Sequence, residues 1–163
     1  MAGRRDPRLD ALFEQLASAP SASHAAPIEQ QIWAIWFESG DATVDRRMRE
    51  GAVAMDQGDG AAALLAFDAV VSARPDFAEG WNRRATLYFL MRRFPESVAD
   101  IERTLALEPR HFGALSGLAL IREAQHEPFA ALEALEQVSR IHPQMSHLRE
   151  RVDQLSSNLG EAG

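Results

Sequence analysis

The chain has 163 residues, 46% of them hydrophobic, which is enough apolar surface for one domain with a core of moderate size. Its 17 Lys and Arg residues against 24 Asp and Glu residues leave a formal charge of −7, so nucleic acid and anionic membrane surfaces are repelled on average and are not expected as partners. The sequence has no cysteine, which excludes disulfides and thiolate metal sites.

No stretch approaches the ~20 apolar residues of a membrane-spanning helix, and the opening residues MAGRRDPRLDALF lack an apolar run of signal-peptide length. We therefore expect no membrane insertion and a cytoplasmic location. The alternative is the periplasm, if an export signal has been removed from the chain.

The first predicted element is a pair of helices that follows a flexible polar tail at residues 1–6. Proline is tolerated in the first turn of a helix, so a helix is predicted from Pro7 to about residue 19. The Pro-, Ser- and Ala-rich residues 19–27 predict a connection, and a second helix is predicted from about residue 27 to 39. Residues 7–42 are therefore interpreted as a degenerate helical hairpin.

Three further helix pairs and one closing helix follow, each indicated by apolar residues on one face of a 3.6-residue helix. The predicted spans are about 43–57 with 60–73, 78–91 with 95–107, and 112–125 with 128–141. The last helix, from about residue 145 in the segment 144–159, has one apolar face and charges elsewhere, as a helix that caps a stack requires. Residues 160–163 are predicted to be a flexible tail.

The prolines after the three pairs, Pro75, Pro109 and Pro143, lie 34 residues apart. When each proline is taken as the thirty-second place of a repeating unit, the eighth and twentieth places are small, the twenty-fourth is large and apolar, and the twenty-seventh is β-branched. In that order the residues are Gly51, Ala85 and Ala119; Ala63, Ser97 and Ala131; Phe67, Ile101 and Leu135; Val70, Thr104 and Val138. Small residues where two helices cross and bulky ones where they interlock are what a repeated helical hairpin needs.

This unit resembles the tetratricopeptide repeat (TPR) family, whose consensus is W-x2-L-G-x2-Y, then A-x3-F, then P. The matching residues are Gly51, Ala63, Phe67 and Pro75 in the first unit, Trp81, Ala85 and Tyr88 in the second, and Leu118, Ala119, Ala131 and Pro143 in the third. The resemblance implies an all-α fold, a short right-handed superhelix (α-solenoid) of helical hairpins with a C-terminal capping helix. Three repeats are placed within 43–143, at about 44–77, 78–111 and 112–145, in one domain. The chain also resembles small bacterial TPR proteins of unassigned function.

In this family the first helix of each repeat lines an inner surface. The resemblance therefore implies a concave groove for a protein or peptide partner, lined by Met48, Ala52, Met55, Glu79, Asn82, Thr86, Phe89, Ser116, Leu120 and Glu123. Apolar side chains would supply affinity there, while amide and hydroxyl groups can pair with the backbone of an extended peptide or a helix. The alternative is that these residues are only the surface that such a fold must expose. We expect a non-catalytic protein-protein interaction or scaffold module.

One subset of the family clamps the C-terminal carboxylate of chaperones with a set of Lys, Asn and Arg side chains. That set is not present here, because the corresponding places hold Met48, Ala52, Arg83, Gly113 and Gly117. Binding of a chaperone tail is therefore not expected.

Trp33 and Trp36 lie on the predicted second helix and allow two interpretations. They could form a hydrophobic docking site through which the chain self-associates as a homodimer, which is the alternative function. Aromatic residues at helical spacing in a terminal unit more often pack on the next unit, and we favour that interpretation.

Arg84 stands where the family usually has leucine. A guanidinium at that place must pair with a carboxylate or reach water, since an isolated buried charge is costly. Asp100, on the second helix of the same unit, and Glu50, at the same place in the preceding unit, are the candidate partners. A structural ion pair is therefore predicted.

No residues indicate catalysis, a cofactor or a metal. The five histidines fall in a connection, at turns and near helix starts, without the spacing of metal ligands. The sequence has no phosphate-binding glycine loop and no nucleophile elbow, and no carboxylate lies in an apolar, glycine-lined setting. We therefore expect a protein that is not an enzyme.

Overall fold

The computed structural model describes residues 6–161, which contain nine helices and no strand. The helices are α1 (Pro7–Ser18), α2 (Ala22–Trp36), α3 (Ala42–Asp56), α4 (Gly60–Ala73), α5 (Ala78–Leu90), α6 (Phe94–Leu107), α7 (Phe112–Ala124), α8 (Pro128–Ile141) and α9 (Leu148–Glu161). The predicted all-α class is confirmed. Six of the predicted helices, α3 to α8, begin and end within one residue of their expected bounds.

The described residues form two compact units, one of Ala34–His111 and one of residues 6–33 together with 112–161. In the first unit α3 packs on α4, α4 on α5, and α5 on α6. In the second unit α7 packs on α8, and α8 contacts both α9 and α1. The helices of each predicted repeat therefore pair as hairpins, whereas the assignment of all repeats to one domain stays a prediction.

The close approach of helices within a hairpin explains the small residues of the repeat. In the first hairpin a Cβ atom on Gly51 would lie 2.5 Å from the ring of Phe67, so only glycine leaves room for this ring. In the second hairpin the hydroxyl of Ser97 donates to the carbonyl of Ala85 at 2.7 Å and ties the two helices together. The spacing that recurs in the sequence thus reflects contacts between the two helices of a hairpin.

The three prolines 34 residues apart occupy equivalent positions. Each follows directly on the residue that caps the second helix of a hairpin, and these capping residues are Arg74, Glu108 and His142. Their backbone N–H groups donate to the carbonyl four residues earlier at 2.9, 2.8 and 2.7 Å. A proline at the next position cannot continue the helix, and this gives all three hairpins the same end.

The N-terminal region differs from its prediction at the start of α2. The helix begins at Ala22, about five residues before the predicted start, and includes Pro27. The Ser21 hydroxyl accepts a hydrogen bond from the His24 amide at 3.3 Å, as an N-cap does, and the alanines that follow favour helix. The predicted connection at residues 19–27 is therefore wrong for most of its length.

The degenerate hairpin predicted for residues 7–42 stays a prediction. Among the described residues α1 packs against α8 of the third repeat. Phe13 of α1 and Trp33 of α2 both meet the ring of Phe112 edge-on, with ring centroids 6.4 and 5.7 Å apart respectively. Both aromatic side chains thus pack against the third repeat.

The two chain ends also differ from their predictions. Asp6, assigned to the tail at 1–6, caps α1 by accepting from the Arg8 amide at 2.9 Å, and residues 1–5 lie outside the described part. The last helix begins at Leu148, because His147 has a positive φ of 61° that interrupts a helix. It continues through Gly160 to Glu161, so the part of the tail prediction at 160–163 that the structure describes is wrong.

Candidate functional site

A pocket of about 370 Å³ lies in the first unit, next to the first helices of the first two repeats. The C-terminal end of α2, the following turn, α3 and α5 form its walls. Its lining residues are Ala34, Phe37, Glu38, Asp45, Met48, Arg49, Ala52 and Arg83. Two of the predicted groove residues, Met48 and Ala52, thus lie at a concave site.

The turn between α2 and α3 is held in place by hydrogen bonds from both sides. The Asp41 carboxylate accepts from the amides of Thr43 and Val44 at 2.8 and 3.1 Å and so caps α3. The Arg74 guanidinium donates to the Ser39 carbonyl at 2.8 Å. These bonds fix the turn that carries the pocket residues at positions 37 and 38.

The floor of the pocket is apolar. Met48 is buried beneath it and Ala52 is half-buried, so both contribute a surface without polar atoms. Phe37 lines the pocket and remains 40% exposed, so its ring adds accessible apolar surface. The floor can therefore bury an apolar side chain of a partner.

Arg83 stands at the rim in a fixed orientation. Its Nε donates to Oε1 of Glu79 at 3.1 Å, and its guanidinium lies 4.7 Å from the centroid of the Phe37 ring. Its two terminal nitrogens make no hydrogen bond with residues 6–161. Arg49, the second cation of the rim, makes neither a hydrogen bond nor an ion pair within the same range. The pocket therefore offers donors that the described chain does not use.

Glu79 and Asn82, both predicted to line the groove, lie in the interior and not at its surface. The Asn82 amide donates to Oε1 of Glu79 at 3.2 Å, and Nε2 of His111 lies 2.9 Å from Oε2. The His111 ring in turn stacks on Trp36 at 4.0 Å with an angle of 8° between the planes. A buried carboxylate needs such partners, and this network holds Arg83 in place from behind.

Three more predicted groove residues of the first unit lie outside the pocket. Thr86 is exposed, and its hydroxyl donates back to the Asn82 carbonyl at 3.1 Å. Phe89 is half-buried against Phe94, with ring centroids 5.9 Å apart, and Met55 is half-buried near the end of α3. Of the ten predicted residues, Met48 and Ala52 line the pocket.

The predicted groove residues of the third repeat belong to the second unit. There the Arg151 guanidinium of α9 donates to the Ser116 hydroxyl at 3.1 Å and to Oε1 of Glu123 at 2.7 Å. Leu120 remains 41% exposed. Two of the three side chains are thus already bonded to the C-terminal helix.

Phe37, Arg49 and Arg83 line the pocket but were not among the predicted groove residues. Phe37 and Arg83 are distant in sequence and meet only because the turn after α2 folds against α5. Arg49 follows the predicted residue Met48 directly, and its position on the face beside the groove was the one available signal.

The two tryptophans of α2 are packed within the protein. Trp36 is 7% exposed and stacks on His111, and Trp33 is half-buried against Phe112. These contacts are those of the packing interpretation, and they leave little of Trp36 for a second molecule.

Arg84 forms the predicted ion pair with Asp100 and a second one with Asp68. Its Nε and Nη2 donate to the two carboxylate oxygens of Asp100 at 2.8 and 2.9 Å, and its Nη1 donates to Asp68 at 2.9 Å. The bonds to Asp100 are the main reason that the pKa of Arg84 is raised, although burial opposes the shift. Glu50 was the wrong candidate, because it pairs with Arg47 at 3.1 Å.

Metal-ligand groups and membrane-spanning helices are two further features that bear on function. Residues 6–161 contain no group of three or more His, Cys, Asp or Glu side chains that could hold a metal ion. In the same range, none of the helices combines the length and the apolar character needed to cross a bilayer.

The chain is similar to a curated TPR protein and to several solved TPR domains. A TPR repeat-containing protein of Rhizobium etli is 40% identical over 152 residues, which cover 93% of this chain and 74% of the relative. The TPR2B domain of yeast Sti1, solved as a complex with pHsp70, has a TM-score of 0.65 at 24% identity and covers 76% of this chain and 100% of that one. The first TPR domain of Spaghetti (RPAP3), bound to the HSP90 peptide SRMEEVD, has a TM-score of 0.68 at 20% identity, over 72% of this chain and 94% of that one.

No protein-family model matches the sequence. The identity to the Rhizobium relative extends over nearly the whole chain, and the solved TPR domains share the arrangement of helical hairpins. Together with the 34-residue repeat, these findings show that the chain belongs to the tetratricopeptide repeat family.

Proposed function

We propose that this protein is a non-catalytic interaction module that holds a peptide segment or helix of another protein, with the pocket beside Phe37 as its central contact. The observation that carries the proposal is a concave site with an apolar floor and unused guanidinium donors at its rim. Apolar burial supplies affinity, and directed donors fix the orientation of a bound chain.

The size of the pocket favours a peptide segment over a helix. Its volume of about 370 Å³ lies near the lower end of the ~300–1,000 Å³ range of ligand pockets, so it accommodates one or two side chains. Fully burying one Leu- or Phe-sized side chain contributes roughly 1.5–3 kcal/mol, which gives modest affinity unless neighbouring contacts add to it. We include Met55, Thr86 and Phe89 as proposed additional contacts in the first unit. Leu120 stays a proposed contact of the second unit by itself.

Glu79 and Asn82 have a supporting role in this proposal, because both are buried and bonded to other side chains. The comparisons support the class of function in general terms. The Sti1 and RPAP3 domains were solved with an Hsp70 partner and an HSP90 peptide respectively, and their identity to this chain is at most 24%, so they are evidence of the shared fold.

The test is a selection of peptides from a library of random 12-residue sequences displayed on phage, with the wild-type protein as bait. Ala52→Arg places a long side chain into the pocket floor, and Ala69→Arg makes the same change at an exposed position of α4. The selected peptides, made synthetically, should bind Ala52→Arg at least ~10-fold more weakly than wild type and Ala69→Arg equally well. Selection of no peptide, or equal loss in both variants, would contradict the proposal.

A further inference from the structure

Resting on the function just proposed, we propose that the pocket recognises one acidic and one apolar side chain, two residues apart, within an internal stretch of the partner chain. Arg83 and Arg49 would receive the carboxylate, and the floor formed by Met48 and Ala52, beside Phe37, would receive the apolar side chain. This specifies the chemical class of the partner segment.

Arg83 is prepared for a carboxylate before any partner arrives. The bond from its Nε to Glu79 and the stacking of its guanidinium on the Phe37 ring restrict its rotamers. Its two terminal nitrogens stay available for a fork-like contact with two carboxylate oxygens. Because the side chain is already ordered, little conformational entropy is lost when the contact forms.

Arg49 adds a second cation at the same rim. It is exposed and bonded to no acidic side chain of residues 6–161, although the chain as a whole carries an excess of seven negative charges. Glu38 and Asp45 line the same pocket, so the attraction depends on direct contact with the two guanidinium groups and not on an excess of positive charge. Such directed contacts favour specific recognition over general electrostatic binding.

The apolar and cationic halves of the pocket touch each other. The Phe37 ring lies beneath the Arg83 guanidinium on one side and borders the floor on the other. Side chains two residues apart in an extended peptide point to the same face and are separated by about 6.6 Å along the chain. An acidic and an apolar side chain at this spacing can thus reach the rim and the floor together.

The other charges of the rim favour an internal segment over a chain terminus. Glu38 and Asp45 line the same pocket, and the Asp45 carboxylate already accepts from the Ser39 amide at 3.3 Å. A terminal carboxylate beside an acidic side chain would bring a second negative charge close to these groups. A single acidic side chain avoids that repulsion, and the peptide bonds on both sides of it offer N–H donors to the rim carboxylates.

The experiment uses the 12-residue peptides selected from the phage library, synthesised with an acetylated N-terminus, an amidated C-terminus and a fluorescein label. Each peptide is compared with a partner peptide in which every Asp or Glu is changed to Asn or Gln. Fluorescence anisotropy then gives Kd for wild type, Arg49→Met, Arg83→Met and the control Arg140→Met. Arg140 is exposed on α8 and makes no ion pair with residues 6–161.

We expect neutralisation of the peptide to weaken binding to wild type and to Arg140→Met about fivefold or more. The same peptide change should have less than twofold effect on Arg83→Met, because the guanidinium that receives the carboxylate is missing. Arg83→Met also removes a partner of buried Glu79 and could alter the pocket for that reason. Arg49→Met breaks no contact with residues 6–161, and neutralisation of the peptide must weaken its binding less than it weakens binding to wild type.

Two results would overturn the inference and leave the proposed function intact. One is a set of selected peptides that are blocked by Ala52→Arg but contain no acidic residue two positions away from an apolar one. The other is binding that requires a free C-terminal carboxylate and fails with the amidated peptides. If the library yields no binding peptide at all, both this inference and the proposed function fall.

Discussion

The ring of Phe67 fills the space that Gly51 leaves by having no side chain. A Cβ atom on Gly51 would lie 2.5 Å from one ring carbon and 2.7 Å from the next, and Phe67 is fully buried. At the same two places of the repeat, the second unit has Ala85 and Ile101 and the third unit has Ala119 and Leu135. The large ring of Phe67 thus explains why the first repeat has glycine, and not alanine, at position 51.

Gly51→Ala should destabilise the protein even though alanine favours helix over glycine by roughly 1 kcal/mol. The added Cβ atom would lie 2.5 Å from the buried Phe67 ring, and overpacking of this kind costs typically ~1–3 kcal/mol. The free energy of unfolding from urea titration should therefore fall.

The double variant Gly51→Ala with Phe67→Leu reproduces the combination found in the third repeat. It should recover part of the stability that Gly51→Ala loses, and it should be more stable than the sum of the two single changes predicts. Stability of Gly51→Ala equal to or above wild type would contradict the contact.

Arg84→Ala should be clearly more destabilising than the loss of an exposed ion pair. The change leaves Asp100, whose side chain is 5% exposed, without its two charged hydrogen bonds, and an unsatisfied buried group costs ~1–3 kcal/mol. The control is Arg46→Ala, which removes an exposed pair with Glu50 at 3.7 Å and should shift stability by less than ~0.5 kcal/mol.

Replacing both Arg84 and Asp100 by leucine should restore much of the stability lost in Arg84→Ala, because no buried charge is then left unpaired and Asp68, at 47% exposure, stays hydrated. Thermal melts of the three variants and wild type measure the differences. Equal melting midpoints for Arg84→Ala and Arg46→Ala would show that the buried pair does not contribute to folding.

The bond between Glu29 and His142 predicts a stability that depends on pH. The hydrogen bond from His142, at 2.9 Å, is the main reason that the pKa of Glu29 is lowered, while burial acts in the opposite direction. Since the folded state binds this proton more weakly than the unfolded state, the bond stabilises the fold above the ordinary glutamate pKa of 4.5. That stabilisation is lost as pH falls below 4.5 and through the folded pKa.

Glu29→Gln should therefore lie below wild type in stability at pH 6 and approach it as the pH is lowered toward 3. Urea titrations of both proteins at several pH values measure this gap, and Glu14→Gln, at an exposed position of α1, serves as a control without such a trend. A gap between Glu29→Gln and wild type that does not change with pH would show that the carboxylate charge is not involved.

The sequence predicted the parts of the structure that repeat, because a contact that recurs every 34 residues leaves a recurring residue type. Pro75, Pro109 and Pro143 end three hairpins in the same way for this reason. The burial of Glu79 was not predictable, since its partner His111 is 32 residues away and belongs to the turn before the next repeat. The start of α2 was missed because its Ser cap lies in a stretch whose prolines suggested a loop.

The pocket residues, too, could be predicted only where they belong to the repeat. Met48 and Ala52 were predicted from their places in the repeat, whereas Phe37 belongs to the turn after α2, outside the repeating part of the chain. Its contact with Arg83 depends on how that turn is held by Arg74 and Asp41. Hydrogen bonds of this kind are set by tertiary structure and leave no periodic trace.

The Trp36→Ala variant should be less stable than wild type and should have the same state of association. The side chain is 7% exposed and stacks on His111, and removing a large buried ring costs roughly 3–5 kcal/mol. Trp36→Phe keeps an aromatic ring for the stack and should lose less. Light scattering coupled to gel filtration, at one protein concentration, should give the same mass for wild type and both variants. If wild type were a dimer and Trp36→Ala a folded monomer with an unchanged melting midpoint, self-association through α2 would be the correct role of this residue.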